Sequence, residues 1–358
     1  MIPPLTRLLQ ARWPELRPGR PSPASAIVAG LDRSPAGKVT LAFFDQAGDL
    51  AAVAKVARSA TSEPALVQEY EALSHLWALG VPSVRERVAQ PLLLERVSGR
   101  LALVQAPLGG RPMTAAYYTP GHVTERGPVA EDFAQAAAWL LAFQRETATG
   151  PQVLDAALLD RWVGQVIRGY REEVGWSATE EKLLSEVQTR AEGLIGFPLP
   201  TAAVHGDYWM GNLLVDASGL RGVIDWERGR DSGPCPLDVY KFPTSYAVYM
   251  DRAYPGGVVP GHPGRERWRE RWRRFGEWPN LAGFGYAYWG EGWFPELVRG
   301  FIGGHLDALG IPEEANAVFF PLFLAEQALL PGHPRTRAGH RALLRAYAEE
   351  PTATWLRQ

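Results

Sequence analysis

AVHGDYWMGNLLVD at residues 203–216, followed by LRGVIDWE at 220–227, is the stretch that decides the fold of this chain. Two short apolar segments flank a polar loop that carries Asp207 and Asn212, and Asp225 follows the second apolar run. Oxygen ligands on neighbouring strand ends suit Mg²⁺, which takes one or two protein ligands together with phosphates and water. A carboxylate such as Asp207 can position an attacking hydroxyl, so the pattern favours phosphoryl transfer over an ordinary hairpin with a polar turn.

The motif HGD-x4-N followed by IDWE closely resembles the catalytic and metal-binding loops of the aminoglycoside phosphotransferase and choline kinase superfamily, which shares the fold of the protein kinases. The resemblance implies that Asp207 is the catalytic residue and that His205 braces its loop through hydrogen bonds. It also implies that Asn212 and Asp225 are the magnesium ligands. Further along, Pro236-Leu237-Asp238 resembles the family's Pro-x-Asp signature, which makes Asp238 a support of the catalytic loop.

The chain before this motif is rich in strand signals. Apolar and partly β-branched runs predict strands at 26–31, 38–44 and 50–57, separated by turn residues. Residues 63–79 change to a helical period, and two more strands are predicted within 91–108. We therefore expect a small sheet with one helix inserted after its third strand, preceded by a short amphipathic helix at the N-terminus.

The resemblance implies that this sheet holds the nucleotide. Lys55 lies in the apolar run AVAKVA, where a kinase needs a cation for the α- and β-phosphates. The acid that holds this lysine is expected on the following helix, with Glu69 as first choice and Glu71 as second. Adenine is expected to bond to backbone groups near Gln105 and Ala106. The implied cofactors are ATP, with GTP as an alternative, and Mg²⁺.

The turn GLDRSPAGK at 30–38 stands where the family has a phosphate-covering loop. Ser34 and the backbone near Gly37 are the candidate phosphate contacts. The turn is not a P-loop, because the spacing from Gly30 to Gly37 is too long and a valine follows the lysine.

Beyond the linker predicted at Gly109-Gly110-Arg111-Pro112, the pattern is mostly helical, with a helix at 132–148 and two more within 155–194. We therefore predict an α+β, two-lobed, protein-kinase-like fold. Its small β-rich nucleotide-binding lobe is expected at 1–107, and its larger, mostly helical catalytic and acceptor-binding lobe at 108–358.

The stretch GFGYAYWGEGWFPEL at 283–297 mixes aromatic residues, glycines and two glutamates without a clear helical or strand period. In the C-terminal lobe of such a kinase it falls in the region where acceptors are bound. Trp289, Glu291 and Trp293 are therefore candidate acceptor contacts, because aromatic faces suit sugar rings or cationic groups and carboxylates suit amines. Packing inside the lobe is the alternative interpretation of these aromatic residues.

Composition restricts the partners. The net charge of −2 gives no basic field for nucleic acid, and the lone Cys235 cannot form an intrachain disulfide, which fits a reducing cytoplasm. The N-terminus lacks the apolar core of a signal peptide, and no apolar run reaches the ~18 residues of a membrane span. RERWRERWRR at 265–274 is interpreted as a solvated helix face with buried tryptophans, with a nucleic-acid or anionic-ligand patch as the alternative. We expect a small-molecule acceptor, no nucleic-acid or membrane partner, and a monomer or homodimer.

The sequence thus predicts an ATP-dependent phosphotransferase that acts on a hydroxyl of a sugar, an amino-sugar or a related small polar molecule. One alternative is a non-catalytic, nucleotide-binding regulator of the same fold, which the intact Lys55, Asp207, Asn212 and Asp225 disfavour. The other is a protein kinase, which the lack of H-R-D, D-F-G and A-P-E sequences disfavours.

Overall fold

The computed structural model of the protein describes residues 2–32, 37–249, 253–254, 257–258, 281–330 and 334–350, without the side chains of residues 253–254, 257–258 and 334–336. The chain forms two compact units. The first unit comprises residues 1–111, 205–207 and 214–231, and the second comprises residues 112–204, 208–213 and 232–358. A sheet dominates the first unit and helices dominate the second, which confirms the predicted α+β class. The lobe limits at 1–107 and 108–358 stay a prediction.

The first unit is built on an antiparallel sheet whose strand order is β1-β2-β3-β5-β4. The strands are β1 Ser25–Leu31, β2 Lys38–Phe44, β3 Leu50–Ala57, β4 Pro91–Val97 and β5 Arg100–Gln105. Helix α2, Glu63–Leu79, follows β3 and is capped by Gly80 at φ 71°, a left-handed conformation that favours glycine. The predicted strands and helix are confirmed, with β5 ending at Gln105 and a short unpredicted helix α3, Pro82–Arg87, before β4.

One face of this sheet is covered by helix α1, Ile2–Leu16, as the amphipathic N-terminal pattern predicted. Leu5, Leu9 and Trp13 recur every four residues and therefore share one helix face. They are buried in an apolar cluster with Leu41 and Phe43 of β2 and with alternate residues of β3. Because side chains alternate across a strand, the other residues of β2 and β3 project from the opposite face.

Three further strands form a second sheet, which includes the apolar segments within 203–227. They are β6 Arg111–Pro112, β9 Leu213–Asp216 and β10 Gly219–Val223, in the order β10-β9-β6. The predicted glycine linker therefore leads directly into a strand. Gly110 has φ 91°, and a Cβ at this position would lie 3.0 Å from the Val215 carbonyl oxygen. Only glycine fits this approach without displacing its neighbours.

The second unit is mainly helical in its described residues. Its longer helices are α5 Arg126–Glu146, α8 Ala178–Glu192, α9 Pro236–Val248, α10 Leu281–Trp289, α11 Trp293–Leu309, α12 Asn316–Leu329 and α13 Pro334–Glu349. Shorter elements are α4 Thr114–Tyr117, α6 Ala156–Leu159 and α7 Gln165–Gly169, with strands β7 Pro151–Val153, β8 Pro198–Val204, β11 Arg230–Pro234, β12 Ala253–Tyr254 and β13 Gly257–Val258. Strands β11, β8 and β7 are adjacent in that order.

Two predictions differ in detail from this unit, and a third lies outside the described residues. Helix α5 begins at Arg126 instead of residue 132. Val129, four residues before Phe133, is also buried, so the buried side of the helix continues beyond the predicted start. The segment 155–194 holds α6, α7 and α8, with π-helical turns at Asp160–Gly164 and Tyr170–Val174. The residues of RERWRERWRR at 265–274 lie outside the described part of the chain.

The stretch 283–297 lacks an amphipathic period because its first part is buried on every side. Residues 281–288 are all buried, so helix α10 shows no polar face in the sequence. Across the described residues no single helix has the length and apolarity needed to span a membrane. One pair of helical segments reaches the required length and apolarity when the two are added together. They are Trp293–Leu309 and Glu313–Leu329, which comprises a 3-10 turn and α12, and the chain bends by 117° between them.

We predict that Leu9→Ala lowers the free energy of unfolding by about 2–5 kcal/mol, because Leu9 is fully buried between α1 and the sheet. Arg7→Ala is the control, since Arg7 is exposed on the same helix and its loss should change stability by less than ~0.5 kcal/mol. Urea unfolding followed by tryptophan fluorescence measures both variants. Equal losses would contradict the packing of α1 on the sheet.

Candidate active site

Lys55 lies at the centre of the charged groups of the first unit. It projects from β3 on the face opposite α1, and its Nζ lies 2.6 and 2.8 Å from the two carboxylate oxygens of Glu69 on α2. The same Nζ donates to Oδ1 of Asp225 at 2.7 Å. Glu69 is fully buried whereas Glu71 is exposed, so the structure selects the first of the two predicted acids.

Gln105, at the end of β5, supports this pair in a way that the sequence did not reveal. Its side-chain Nε2 donates to Oε1 of Glu69 at 3.0 Å, and both side chains are buried. The expected adenine contacts near Gln105 and Ala106 depended on backbone groups alone. The Ala106 N–H, however, donates to the Gln90 carbonyl at 2.8 Å and is already paired. Both residues line the cavity described below.

Asp225 occupies a strained backbone position directly after β10. Its φ is 70°, a left-handed conformation that residues other than glycine rarely adopt and that persists when the surroundings enforce it. Burial alone would raise the pKa of Asp225, but the charges of Lys55 and Lys38 outweigh burial and the pKa lies well below its usual value. Burial likewise opposes the charge of Lys55, but Asp225 and Glu69 raise its pKa above the usual value. The lysine and the aspartate are therefore both ionised at neutral pH.

His205 makes two hydrogen-bond contacts with the backbone around Asp207 and Asp225. Its ring is fully buried, and Nε2 lies 3.0 Å from the Ile224 carbonyl, which accepts a hydrogen bond when that nitrogen is protonated. Nδ1 is then free to accept from the Asp207 N–H at 3.2 Å. Between them Gly206 has φ 76°, and a Cβ there would approach the Arg228 carbonyl oxygen to 2.5 Å. The HGD sequence therefore needs its glycine for steric reasons and its histidine for two hydrogen bonds.

Arg228 is a residue of this site that sequence reasoning missed. Its Nη1 lies 3.8 Å from Oδ1 of Asp207, and both side chains are about three-quarters buried. This distance places a positive charge beside the candidate catalytic carboxylate. The available signal was position, since Arg228 immediately follows IDWE in the chain.

Lys38 and Glu227 form a second ion pair that the sequence did not predict. Lys38 stands at the start of β2, its Nζ bonds to Oε2 of Glu227, and it lies 3.7 Å from Oδ1 of Asp225. Burial lowers the pKa of Lys38, and the charge of Asp225 partly offsets this effect. In the described part of the chain, the carboxylates of Glu69, Asp225 and Glu227 present oxygens within 4.8 Å of one another.

A cavity of about 520 Å³ adjoins these charges within the first unit. One part of its wall is apolar, and the other carries the charged groups. The apolar side chains are Leu31, Val53, Ala89, Ala106, Leu108, Leu214 and Ile224, and the charged ones are Asp32, Lys38, Lys55, Asp225 and Glu227. The cavity therefore suits an elongated ligand that has an apolar ring at one end and, at the other, anionic groups that contact the two lysines together with a cation held by the carboxylates.

The remaining predicted site residues belong to the second unit or lie outside the described part. Asn212 and Asp238 are buried in the second unit, and Asn212 lies five residues after Asp207 in the sequence. Trp289 contacts Phe284 and Tyr347 with ring centroids 5.8 and 6.0 Å apart, which is the packing alternative for this residue.

Glu291 and Trp293 stand at the break between α10 and α11. Glu291 is exposed and Trp293 is half-buried, so both leave side-chain surface open to a ligand. Ser34 lies outside the described residues.

Comparison with known proteins gives one family and a set of similar folds. The model of the phosphotransferase enzyme family APH matches residues 35–232, which is more than half of the chain. No curated protein shows significant similarity to the chain. A crystal structure of a putative aminoglycoside phosphotransferase from Ralstonia eutropha superposes with a TM-score of 0.56 at 15% identity, covering 97% of this chain and 99% of that one. It shows that the fold is the two-lobed, protein-kinase-like one that was predicted.

Two further structures are similar at lower scores. A putative fructosamine-3-kinase from Thermobifida fusca gives a TM-score of 0.49 at 18% identity, with 94% of this chain and 99% of that chain covered. A macrolide 2'-phosphotransferase from Brachybacterium faecium gives 0.45 at 19% identity, with 98% and 99% covered.

We predict that Glu69→Gln lowers the free energy of unfolding by about 1.5–3 kcal/mol, the contribution typical of a hydrogen bond to a charged group, because Lys55 loses one of its two carboxylate partners. Glu71→Gln is the matched control on the same helix and should change stability by less than ~0.5 kcal/mol, since Glu71 is exposed. Chemical denaturation of both variants at neutral pH is the measurement. Equal stability of the two variants would show that the Lys55–Glu69 contact does not stabilise the fold.

Proposed function

Because the chain belongs to the phosphotransferase enzyme family APH, we propose that it transfers the terminal phosphoryl group of ATP to a hydroxyl of a small polar molecule. The single observation that carries this proposal is Lys55, held at once by Glu69 and Asp225 at the charged end of the cavity. Phosphoryl transfer requires positioning and charge stabilisation more than covalent chemistry, and this arrangement supplies a fixed cation for phosphate oxygens.

The apolar end of the cavity fits the base of the nucleotide. Val53, Ala89, Leu214 and Ile224 all line the cavity and supply apolar surface for a flat aromatic ring. Lys55 lies two residues after Val53 on the same face of β3, so phosphates attached to a base in this slot extend towards the lysine. ATP is the proposed donor, and GTP is the alternative.

Asp207 is the proposed catalytic residue. Its backbone N–H is fixed by His205, which in turn bonds to the Ile224 carbonyl, so the carboxylate is held relative to the strand that precedes Asp225. In this position Asp207 orients the acceptor hydroxyl and takes its proton as the oxygen attacks phosphorus. Arg228, at 3.8 Å, limits where the Asp207 carboxylate can move and adds positive charge beside the transferred group.

The donor set fits a magnesium ion. Asp225 supplies an ionised carboxylate and Asn212 an amide oxygen, both of which are hard ligands of the type that Mg²⁺ prefers. When bound, Mg²⁺ neutralises the charge on the phosphate oxygens. The part of this chain is to keep Asp225 deprotonated, which Lys55 does by lowering the pKa of that carboxyl group.

The acceptor is proposed to be a polar, ring-bearing molecule, either a sugar derivative or an amino-sugar. Similar structures carry the descriptions aminoglycoside phosphotransferase, macrolide phosphotransferase and fructosamine kinase, and one was solved with gentamicin. In this chain Glu291 and Trp293 offer a carboxylate and an aromatic face at the break between α10 and α11. These two residues remain the candidate acceptor contacts, whereas the packing of Trp289 favours a structural role.

We predict that Asp207→Asn lowers turnover by ~10²–10⁴-fold, the loss expected for a positioned base, while nucleotide binding is retained. Steady-state kinetics require an acceptor, which a phosphorylation screen of sugars, aminoglycosides, amino alcohols and nucleosides identifies. Asp307→Asn, an exposed position on α11, is the control and should keep full turnover. A folded Asp207→Asn enzyme with turnover near that of the unchanged protein would remove Asp207 from the catalytic role.

We predict that ATP with Mg²⁺ at ~100 times its dissociation constant raises the free energy of unfolding by ~2.7 kcal/mol. Differential scanning fluorimetry should show a rise in Tm for the unchanged protein and a smaller rise for Asp225→Asn, because that variant lacks an ionised metal ligand. Asp307→Asn should match the unchanged protein. If millimolar ATP with Mg²⁺ leaves Tm unchanged in the folded protein, the nucleotide part of this proposal is wrong.

A further inference from the structure

Lys38 is a second cation at the charged end of the cavity. Its Nζ bonds to Glu227 and lies 3.7 Å from Oδ1 of Asp225, the same oxygen to which Lys55 donates at 2.7 Å. Lys38 comes from β2 and Lys55 comes from β3, so different strands bring the two ammonium groups to one carboxylate. The side chain of Lys38 is 13% exposed, which shows that the lysine points into the site instead of into solvent.

The register of the sheet places Lys38 beyond Lys55 in the direction away from the apolar end of the cavity. Thr40 of β2 lies opposite Lys55 of β3, and residues opposite each other in an antiparallel pair project from the same face. Lys38, two residues before Thr40, projects from that face as well. The order along the face is therefore Val53, then Lys55, then Lys38, with about 7 Å between successive positions.

This order matches the order of groups in a nucleoside triphosphate. When a base lies against Val53 and the first phosphates lie at Lys55, the terminal phosphate is directed towards Lys38. A diphosphate bound in the same way ends at Lys55. The sheet thus presents one lysine to the phosphates that both nucleotides share and another to the phosphate that only the triphosphate has.

Glu227 is the hydrogen-bonded partner of Lys38. The set formed by Lys38, Lys55, Glu69, Asp225 and Glu227 has two positive and three negative formal charges, so its net charge is −1. Lys55 has two carboxylate partners within 2.8 Å, whereas Lys38 is hydrogen-bonded to Glu227 and has only a longer ion pair, at 3.7 Å, with Asp225. Glu227 is also the more accessible partner, at 26% exposure against 0% for Glu69. Lys38 therefore loses fewer contacts than Lys55 would if it exchanged its carboxylate partner for another anion.

We propose that Lys38 is a second phosphate-binding residue, which exchanges Glu227 for the terminal phosphate and thereby gives the site a preference for triphosphate over diphosphate nucleotides. The inference rests on the proposed function, since it assumes that the cavity holds a nucleotide. Lys38 would then distinguish nucleotides by the number of their phosphates, and Glu227 would be its partner before the terminal phosphate binds.

The test compares the dissociation constants of ADP and of an ATP analogue with a non-hydrolysable imido bridge, measured by isothermal titration calorimetry with Mg²⁺ and again with EDTA. Lys38→Met should weaken binding of the analogue by about tenfold, the factor that one charge-assisted hydrogen bond supplies, and should leave ADP binding unchanged. Lys38→Arg, which keeps the charge, should restore most of the difference. Lys182→Met, an exposed lysine on α8, is the matched control and should alter neither nucleotide.

Glu227→Gln tests the partner exchange separately. In EDTA, where no metal competes for the carboxylates, this variant should bind the analogue more tightly than the unchanged protein, because Lys38 no longer has to leave a charged partner. The gain should vanish in the double variant Lys38→Met/Glu227→Gln. A Glu227→Gln variant that binds the analogue no better than the unchanged protein would overturn the exchange.

The outcomes separate this inference from the proposed function. If Lys38→Met weakens both nucleotides equally, or neither, while the unchanged protein binds the analogue, then Lys38 does not read the terminal phosphate and the proposed function stands. If the unchanged, folded protein binds neither nucleotide, the proposed function is wrong and the role of Lys38 is wrong with it.

Discussion

The site depends on one buried ammonium group held between two carboxylates. Lys55 joins β3 to α2 through Glu69 and to the segment after β10 through Asp225, so two consecutive elements and a segment 170 residues further along the chain meet at one atom. A buried charge is costly unless it is paired and hydrogen-bonded, and each of these groups satisfies that condition for the others. Gln105 adds a hydrogen bond to Glu69 from a fourth segment, β5. The positions of the strands, the helix and the loop are therefore coupled through charge as well as through packing.

The two faces of the sheet differ in character, since one packs against α1 and the other carries the polar groups of the site. Leu41, Phe43 and their neighbours on β3 pack against α1, which fixes the plane of the strands from one side. On the other side the alternate positions carry Lys38, Thr40 and Lys55 towards the cavity. A helix that covers one face with apolar contacts leaves the opposite face free to hold polar groups at fixed spacing. Because successive side chains of β2 and β3 project from opposite faces, the same two strands contribute both to the stability of the first unit and to its charged site.

Much of this could be predicted from the sequence, and the reasons for the failures are physical. Strands 38–44 and 50–57 and helix 63–79 have strong local periods, so their limits were found to the residue. The HGD-x4-N and IDWE segments carry their own steric and hydrogen-bond requirements within a few residues. By contrast, Arg228, the side chain of Gln105 and the Lys38–Glu227 pair act through contacts between distant segments, which leave no local pattern. Helix α10 was missed for a different reason, since burial on all sides removes the amphipathic signal.

The left-handed backbone of Asp225 has a consequence for how such a chain changes over evolutionary time. At φ 70° a glycine would adopt this backbone with less conformational cost than an aspartate, but it would also remove the carboxylate that Lys55 and Lys38 face. Removing one partner of a buried ion pair leaves a buried charge with fewer contacts, which opposes the relief of backbone strain. Substitution by glycine at this position is therefore disfavoured by stability itself, whatever the carboxylate does for activity. Within a lineage of this fold, an acidic residue here could persist for structural reasons alone.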